Sequence, residues 1–599
     1  MSDQLPMTSA SIARRTVLRG ALAAGTALAT TALPSGSTAA SVGRRRTPGP
    51  RSAGRTVAIF GGGMAGLSAA HELVERGYRV TVYEPAHLGG KARSMPVLGT
   101  GAGGRRDLPG EHGFRFFPGC YQNIPDTMRR IPFPGNPNGV LDNLIRVQGT
   151  VAGFRGRPPI FAPVEAGAIE QLTPERLQDS IVGALSFVPE LPPHELAFFA
   201  KQMVMWFTSS TERRFGQWEY VTWEQIMHAE GKSPAYRDYL VNALTRITVA
   251  AKPHMSSART IGTIGEALVL AGTGLIPQFS GGVDRILNRP TNEAWIDPWV
   301  AYLRSRGVRF VMGQGLTGLS SSGGRIDSAR VGGSAGSATV TADHYVCAMP
   351  VEKTVPLLND RILDADPALA GMRELRTDWM VGIQYYLRRP TDIPEGHIAA
   401  LGSPWALTAL RQAPMWVGDF SATYGDGSVQ ECLSVDISDW DTPGILFGRP
   451  AKQCTAREIA AEVWAQLEEW LNTSTGWLRK EDLHSWHLDP GITWSGGTIH
   501  NETPLLVNTV GSYDHRPNAH CAIPNLFFGG DHVRTHIDLA TMEGANESGR
   551  AVANAILDAT DDPAPRVPVF PLVTLPIFEP AKKIDADRFR AGLPHLMDV

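Results

Sequence analysis

Residues 61–66 read Gly-Gly-Gly-Met-Ala-Gly, and their flanks leave few folds open. Arg55-Thr-Val-Ala-Ile-Phe60 is a short, β-rich apolar run that stops at the glycines. Leu67 to Gly77 has helical composition with apolar Leu67, Ala70 and Val74, and a second strand, Tyr78 to Tyr83, ends at Glu84. Gly61, Gly63 and Gly66 thus supply GxGxxG between a strand and a helix. There they allow a tight turn, close approach of a pyrophosphate and close helix-strand packing. Met64 and Ala65, within the same turn, are expected at the cofactor, and the helix that follows faces the phosphates with its free N–H groups and positive dipole end. Glu84, closing the second strand, is placed to accept hydrogen bonds from ribose hydroxyls.

Leu88-Gly89-Gly90-Lys91-Ala92-Arg93-Ser94 follows closely. With this segment the chain resembles the flavin-dependent amine oxidase and phytoene (carotenoid) desaturase superfamily, and within it the desaturase-like branch. The resemblance implies FAD rather than NAD: Gly89 and Gly90 let the backbone approach the diphosphate, and Lys91 and Arg93 supply cations. Glu111-His112-Gly113-Phe114-Arg115-Phe116-Phe117-Pro118-Gly119 is similar to the family segment that passes beside the isoalloxazine, which places Gly113, Phe114 and Arg115 at the cofactor.

The far end of the chain returns to the same site. Asn525 to Asp531 reads as a strand ending in Gly-Gly-Asp, and Leu539 to Arg550 as a turn into a helix, continued as an amphipathic helix by Ala551 to Leu557. By resemblance, Gly530 and Asp531 lie on the ribityl side and the backbone at Met542 meets the flavin ring, where a helix N-terminus stabilises negative charge. Between these ends, Gly281-Gly282-Val283 opens one helix-like stretch and Trp295 to Arg306 forms another. Gly307 to Leu319 reads as one strand, and Ile326 to Val331 and Ala338 to Met349 resemble the family's β-meander and returning strand, with Leu316 meeting the adenine.

The expected fold is α/β: a Rossmann-like, glutathione-reductase-like FAD-binding domain (55–124, 276–354, 506–560) interleaved with an α+β substrate domain (125–275, 355–505). A Pro-punctuated tail (561–599) is expected as extended or mobile chain whose apolar Val569 to Phe578 favour docking, with a homodimer partner as one place for it. Leu196 to Phe207 is apolar almost all round and reads as buried core, ahead of a tunnel lining or a peripheral membrane contact. Trp218, Tyr220, Trp223, Trp379, Met380, Tyr385 and Tyr386 would add apolar surface around a cavity suited to a lipophilic substrate.

Seven of 16 His fall between His484 and His536 (with His487, His500, His515, His520 and His532), yet no HExxH or Cys-paired spacing supports a metal. The five Cys lack a CxxC pair; an exported enzyme could form one disulfide of unreadable connectivity. The formal charge of −3 hides an asymmetry: residues 1–55 carry eight Arg against Asp3 alone, on a body at −10. That balance excludes an overall basic nucleic-acid binder. Arg14-Arg15 before a weakly apolar Ala/Leu/Thr run resembles a twin-arginine signal over 1–40, followed by a basic linker, 41–54. Extracellular or cell-envelope export is the expectation, or the cytoplasm if the leader is not used.

The leading chemistry is a dehydrogenase or desaturase that removes hydride from a lipophilic, isoprenoid or polyketide, substrate, with oxygen or quinone as electron acceptor. His112, His532 and Glu543 are candidate proton relays by their nearness to flavin motifs. An amine or amino-acid oxidase releasing hydrogen peroxide is the alternative. Such enzymes place a Lys before the strand facing flavin N5, whereas Arg376 to Tyr386 has none, and no cage aromatic shortly precedes Met542. A redox-neutral isomerase or binding protein holding FAD structurally is the third reading.

Overall fold

The computed structural model describes residues 54–163, 173–247, 251–272 and 284–598. The leader, the linker up to residue 53 and Gly281 to Val283 lie outside them. Thr56–Phe60 is buried from its second residue onward and forms the middle of a five-stranded parallel sheet. Leu526–Phe528, His344–Cys347, Thr56–Phe60, Arg79–Glu84 and Arg309–Met312 lie side by side in that order. Such β-rich, near-continuous apolar runs suit strands covered on both faces. Helix Met64–Glu75 follows the first strand, and helix Met542–Ala559 packs across it. The crossing is tight at Gly549, where an added Cβ would lie 2.5 Å from Ala65 O.

The run expected as one strand from Gly307 to Leu319 divides in two. Arg309–Met312 belongs to the parallel sheet, while Gly315–Ser322 pairs antiparallel with Arg325–Gly332 in a separate three-stranded sheet. Gly313, at φ +74°, makes the break. Ala338–Val340 and His344–Cys347 are likewise separate strands of those two sheets, not one continuous run.

A second, seven-stranded sheet runs Leu483–Leu488, Val381–Leu387, Glu431–Ile437, Thr408–Arg411, His397–Ala400, Gly149–Phe154 and Arg157–Pro163. Its two faces differ because side chains alternate along each strand. Val381, Ile383, Tyr385, Leu433, Val435 and Ile437 pack beneath helix Ala456–Leu471. The other face carries Gln384, Ser434, Asp436 and Thr408, and the register aligns Gly382 with Asp436 and Asp436 with Thr408.

This arrangement revises the expected aromatic cavity. Tyr385 Oη donates to Ala460 O at 2.7 Å, within the apolar core, and Tyr386 Oη donates to Pro109 O at 2.9 Å. Trp379 meets Trp440 edge-on at 5.2 Å, Trp218 Nε1 donates to Ser209 Oγ, and Trp223 is core. Tyr220 is exposed and donates to Asp514. Period-two alternation sends neighbouring Tyr385 and Tyr386 to opposite faces, which composition does not reveal. Helix Pro193–Thr208, by contrast, buries Phe199, Met203, Val204, Trp206 and Phe207, as a core helix should. Among the described residues no helix is long and apolar enough to cross a membrane.

The tail also departs from expectation. After an extended stretch it forms helix Glu579–Arg590, and it docks on its own chain. Phe578 is fully buried against Phe207, at 5.5 Å between rings. Asp585 accepts from Arg213 Nε at 2.7 Å and Ser210 N at 2.8 Å, with both charged side chains 2% exposed. Breaking one side of a buried pair strands the other charge, at a cost of about 3 kcal/mol. Asp585→Asn is therefore expected to release the tail helix to limited proteolysis; an unchanged cleavage rate would place the docking energy elsewhere. All five cysteines are free thiols, so the single disulfide considered above is not formed.

Candidate active site

The nucleotide turn is built by contacts that only glycine permits. An added Cβ on Gly61 would lie 2.2 Å from Ala348 O, and one on Gly66 would lie 1.9 Å from Gly61 O. Gly61 N donates to Tyr83 O at 2.9 Å, which ties the turn to the second strand. Glu84 Oε2 accepts from Gly62 N at 2.8 Å and Oε1 from Ala86 N at 2.9 Å, so the carboxylate is fixed at the sheet edge. Gly63 bridges Gly89, and Gly89 N donates to Gly62 O at 2.8 Å. The amides of Met64, Ala65 and Gly66, in the first helical turn, have no intrahelical acceptor. Leu316 is the second residue of the strand beside this corner: Gln314 N donates to Glu84 O at 3.3 Å, and a Cβ on Gly315 would lie 3.2 Å from Pro85 Cβ.

The two cations after the Gly-Gly pair are held differently. Lys91 Nζ donates to Pro504 O and lies 3.8 Å from Glu352. Arg93 Nη1 donates to Gly90 O at 2.6 Å, while its Nε is buried without a partner.

At the returning end, Gly530 N donates to Ser548 Oγ at 2.9 Å and Asp531 O accepts from Arg516 Nη2 at 2.8 Å. Thr541 Oγ1 caps the last helix by accepting from Gly544 N at 3.0 Å, with Met542 as its first residue. His532 is fully buried and neither ring nitrogen has a hydrogen-bond partner. Burial pulls its pKa down to about 4, so it is neutral through the physiological range.

Glu543 is put to a use other than the expected proton relay. Its Oε1 accepts from Gln122 N at 2.9 Å, Asn123 N at 2.7 Å and Asn123 Nδ2 at 2.9 Å, and Oε2 accepts from Ile124 N at 2.9 Å. The carboxylate thus caps helix Asn123–Arg129, and both oxygens are committed.

His112 Nδ1 lies 3.0 Å from Asp489 Oδ2, whose Oδ1 accepts from Gly491 N at 2.7 Å. Burial draws His112 below its usual pKa against the opposing pull of Asp489. The His112–Arg115 segment lies on the polar face of the seven-stranded sheet: Gly382 N donates to His112 O at 2.7 Å, and Gln384 bonds both N and O of Glu111. Phe114 packs 5.4 Å from the His397 ring. Arg115 donates to Gly113 O and keeps a buried, unpartnered Nε. A cavity beneath Arg115 is lined also by Glu111, Thr291, Leu410, Gln412 and Trp416.

Sequence reasoning missed Asp436, Asp489 and Arg285, which holds the loop by donating to Phe117 O and Pro118 O. For Asp436 a signal existed, a lone acid inside the apolar run Val435-Asp436-Ile437. The histidines that crowd in sequence between His484 and His536 have separate partners: His500 meets Ser495, His536 meets Glu547, and His484 meets Asp426. Among the described residues no group of three or more His, Cys, Asp or Glu could hold a metal ion.

A parallel sheet whose glycine turn and two helix N-termini converge, with buried donors on Arg93, Arg115 and His532 lacking any protein partner, fits a flavin dinucleotide. The site and fold define a flavoprotein oxidoreductase. The chain matches the family described as flavin containing amine oxidoreductase over residues 64–557, and it belongs to that family. It is 24% identical to the 15-cis-phytoene desaturase of Synechococcus elongatus over 84% of this chain and 96% of that protein. It is 24% identical to the carotenoid phi-ring synthase of Chlorobaculum tepidum over 46% of this chain, but spans only 39% of that protein. Cyclohexylamine oxidase from Brevibacterium oxydans shares the fold at a TM-score of 0.53 and 13% identity, over 85% of this chain and 99% of that one. The protein is an FAD-dependent oxidoreductase.

Proposed function

We propose that the chain is a dehydrogenase of the desaturase type acting on a lipophilic, isoprenoid-like substrate. The observation that carries this reading is at Gly382. This residue stands on the strand that faces the flavin-side loop, its N–H meets His112 O, and the whole segment Arg376 to Tyr386 lacks the lysine that amine oxidases place before this strand. The similarity to a phytoene desaturase along 84% of the chain points the same way.

In this reading FAD supplies hydride acceptance at N5. The chain's own residues do the holding: the Gly61–Gly66 turn and the helix at Met64 take the diphosphate, with Gly89, Gly90 and Arg93 closing over it. Glu84 takes ribose hydroxyls, and the Leu316 backbone takes the adenine. Gly530 and Asp531 face the ribityl chain, and the helix N-terminus at Met542 faces the pyrimidine. Lys91, beside Glu352 of the cofactor part, joins the cofactor loop to the substrate part of the chain through Pro504. Export through the basic leader, a peripheral membrane contact for substrate uptake, and oxygen or quinone as acceptor belong to the same proposal.

The test is an anaerobic visible spectrum of the yellow holoprotein. Bleaching by micellar 15-cis-phytoene or a related polyene, with none by simple primary amines, is expected. Bleaching by amines with peroxide release on readmitting air would favour the amine-oxidase alternative, and an unbleached flavin throughout would favour the redox-neutral one.

A further inference from the structure

From Asp562 onward the chain lies beyond the family match, which ends at residue 557, and it is fastened to two parts of the molecule in turn. Asp562, 2% exposed, accepts from Tyr78 Oη at 3.1 Å, and Pro565 O accepts from Arg76 Nε at 2.9 Å, both just past helix Met64–Glu75. The strap then runs back along helix Met542–Ala559 towards its N-terminus. Asn554 holds Val567 by both ends of its amide, Nδ2 donating to Val567 O at 2.9 Å and Oδ1 accepting from Val567 N at 2.7 Å. One turn earlier on the helix, the fully buried Arg550 donates from Nη1 to Pro568 O at 2.9 Å and from Nη2 to Asn123 O at 2.7 Å.

The next contact reaches the segment that Glu543 holds. Asn123 Oδ1 accepts from Phe570 N at 3.0 Å, and its Nδ2 donates both to Phe570 O at 3.0 Å and to Glu543 Oε1 at 2.9 Å. Gln122 Nε2 donates to Pro571 O at 3.2 Å, while Gln122 N donates to Glu543 Oε1 at 2.9 Å. A continuous hydrogen-bonded path therefore leads from the tail backbone through Asn123 to Glu543, the second residue of the helix whose N-terminus faces the flavin pyrimidine. Beyond this point the strap leaves the cofactor part. Phe578 packs on Phe207 of helix Pro193–Thr208, and Asp585 binds Ser210 N and Arg213 Nε, where helix Thr211–Gly216 begins. Arg213 Nη2 adds a bond to Leu593 O at 2.9 Å.

We propose that the tail is a cofactor clasp: its docking and flavin binding stabilise one another, because the strap fixes the Gln122–Asn123 segment that steadies the flavin-facing helix end. The clasp rests on the cofactor placement given above. No covalent bond changes; the linkage is one of equilibria. Whatever factor tail docking adds to flavin affinity, flavin must add to tail docking.

The experiment starts from holoprotein of wild type, Asp585→Asn and Asn554→Ala, which is stripped of FAD and titrated with FAD again by flavin fluorescence. Asp585→Asn removes the far anchor. Asn554→Ala removes the near one without weakening the helix that carries it, since alanine is the best helix former. Hydrogen exchange at the Val567 and Phe570 amides reports the tail directly. In wild type those amides should exchange about tenfold faster without FAD than with it, and each variant should bind FAD about tenfold more weakly. Equal exchange in wild-type apoprotein and holoprotein overturns the proposal. So does a variant whose tail amides exchange freely while FAD binds as in wild type. If either variant fails to fold, the wild-type comparison decides alone. Wild-type protein that takes up no FAD at all sinks the cofactor placement itself, and the clasp with it.

Discussion

Gly66→Ala is expected to give protein that purifies without flavin colour. The new Cβ would stand 1.9 Å from Gly61 O, a backbone atom that cannot swing aside as a side chain would. Forcing one carbon into a packed site costs about 1–3 kcal/mol when side chains can adjust, and here relief requires opening the turn itself. Opening it also moves the Met64, Ala65 and Gly66 amides away from where the diphosphate must lie. Weakening of flavin binding by about a hundredfold or more follows, since 1.4 kcal/mol is a factor of ten. The control is Gly318→Ala, a glycine with no atom within 4 Å of the added carbon, which should retain full colour. Equal flavin content in the two variants would remove the turn from cofactor binding.

Glu543→Ala should destabilise the fold by about 3–5 kcal/mol, because four donors lose one buried acceptor together. Helix Asn123–Arg129 would lose its cap, and helix Met542–Ala559 its tie to the segment that follows the flavin loop. Loss of stability and loss of flavin are therefore expected in one denaturant transition. A Glu543→Gln protein that melts like wild type yet turns over slowly would instead return this residue to the chemistry.

The nucleotide end of the site was legible because its signals are local. A glycine turn, an acid one strand later and a Gly-Gly pair each fix a backbone shape within a few residues, and Gly61, Gly66, Glu84 and Gly89 appear in the structure in mutual contact. Asp436 stands out in sequence only as an acid within an apolar run; its place beside Gly113 and Gly382 is not legible there, since it depends on a sheet register between strands more than 50 residues apart. Tyr385 and Tyr386 show the same limit: adjacent in sequence, they serve different cores. For Glu543 the sequence points to the flavin neighbourhood but not to its hydrogen bonds with Gln122 to Ile124, which approach it only in three dimensions. The tail misled for a different reason. Pro580 falls within the first turn of the final helix, where proline is tolerated, and the next proline, Pro594, comes only after that helix has ended.

The parallel sheet has one further consequence, for how the chain is made. Its central strand is Thr56–Phe60 and its edge strand beside His344–Cys347 is Leu526–Phe528, so the sheet joins residues more than 450 positions apart. On a translating ribosome the glycine turn emerges early and waits, half a site, until nearly the whole chain has followed. Pairings this distant in sequence form slowly. Cofactor capture is therefore a late event in biogenesis, and a chain cut short anywhere before residue 526 carries the most recognisable motif of the family with nothing to close it.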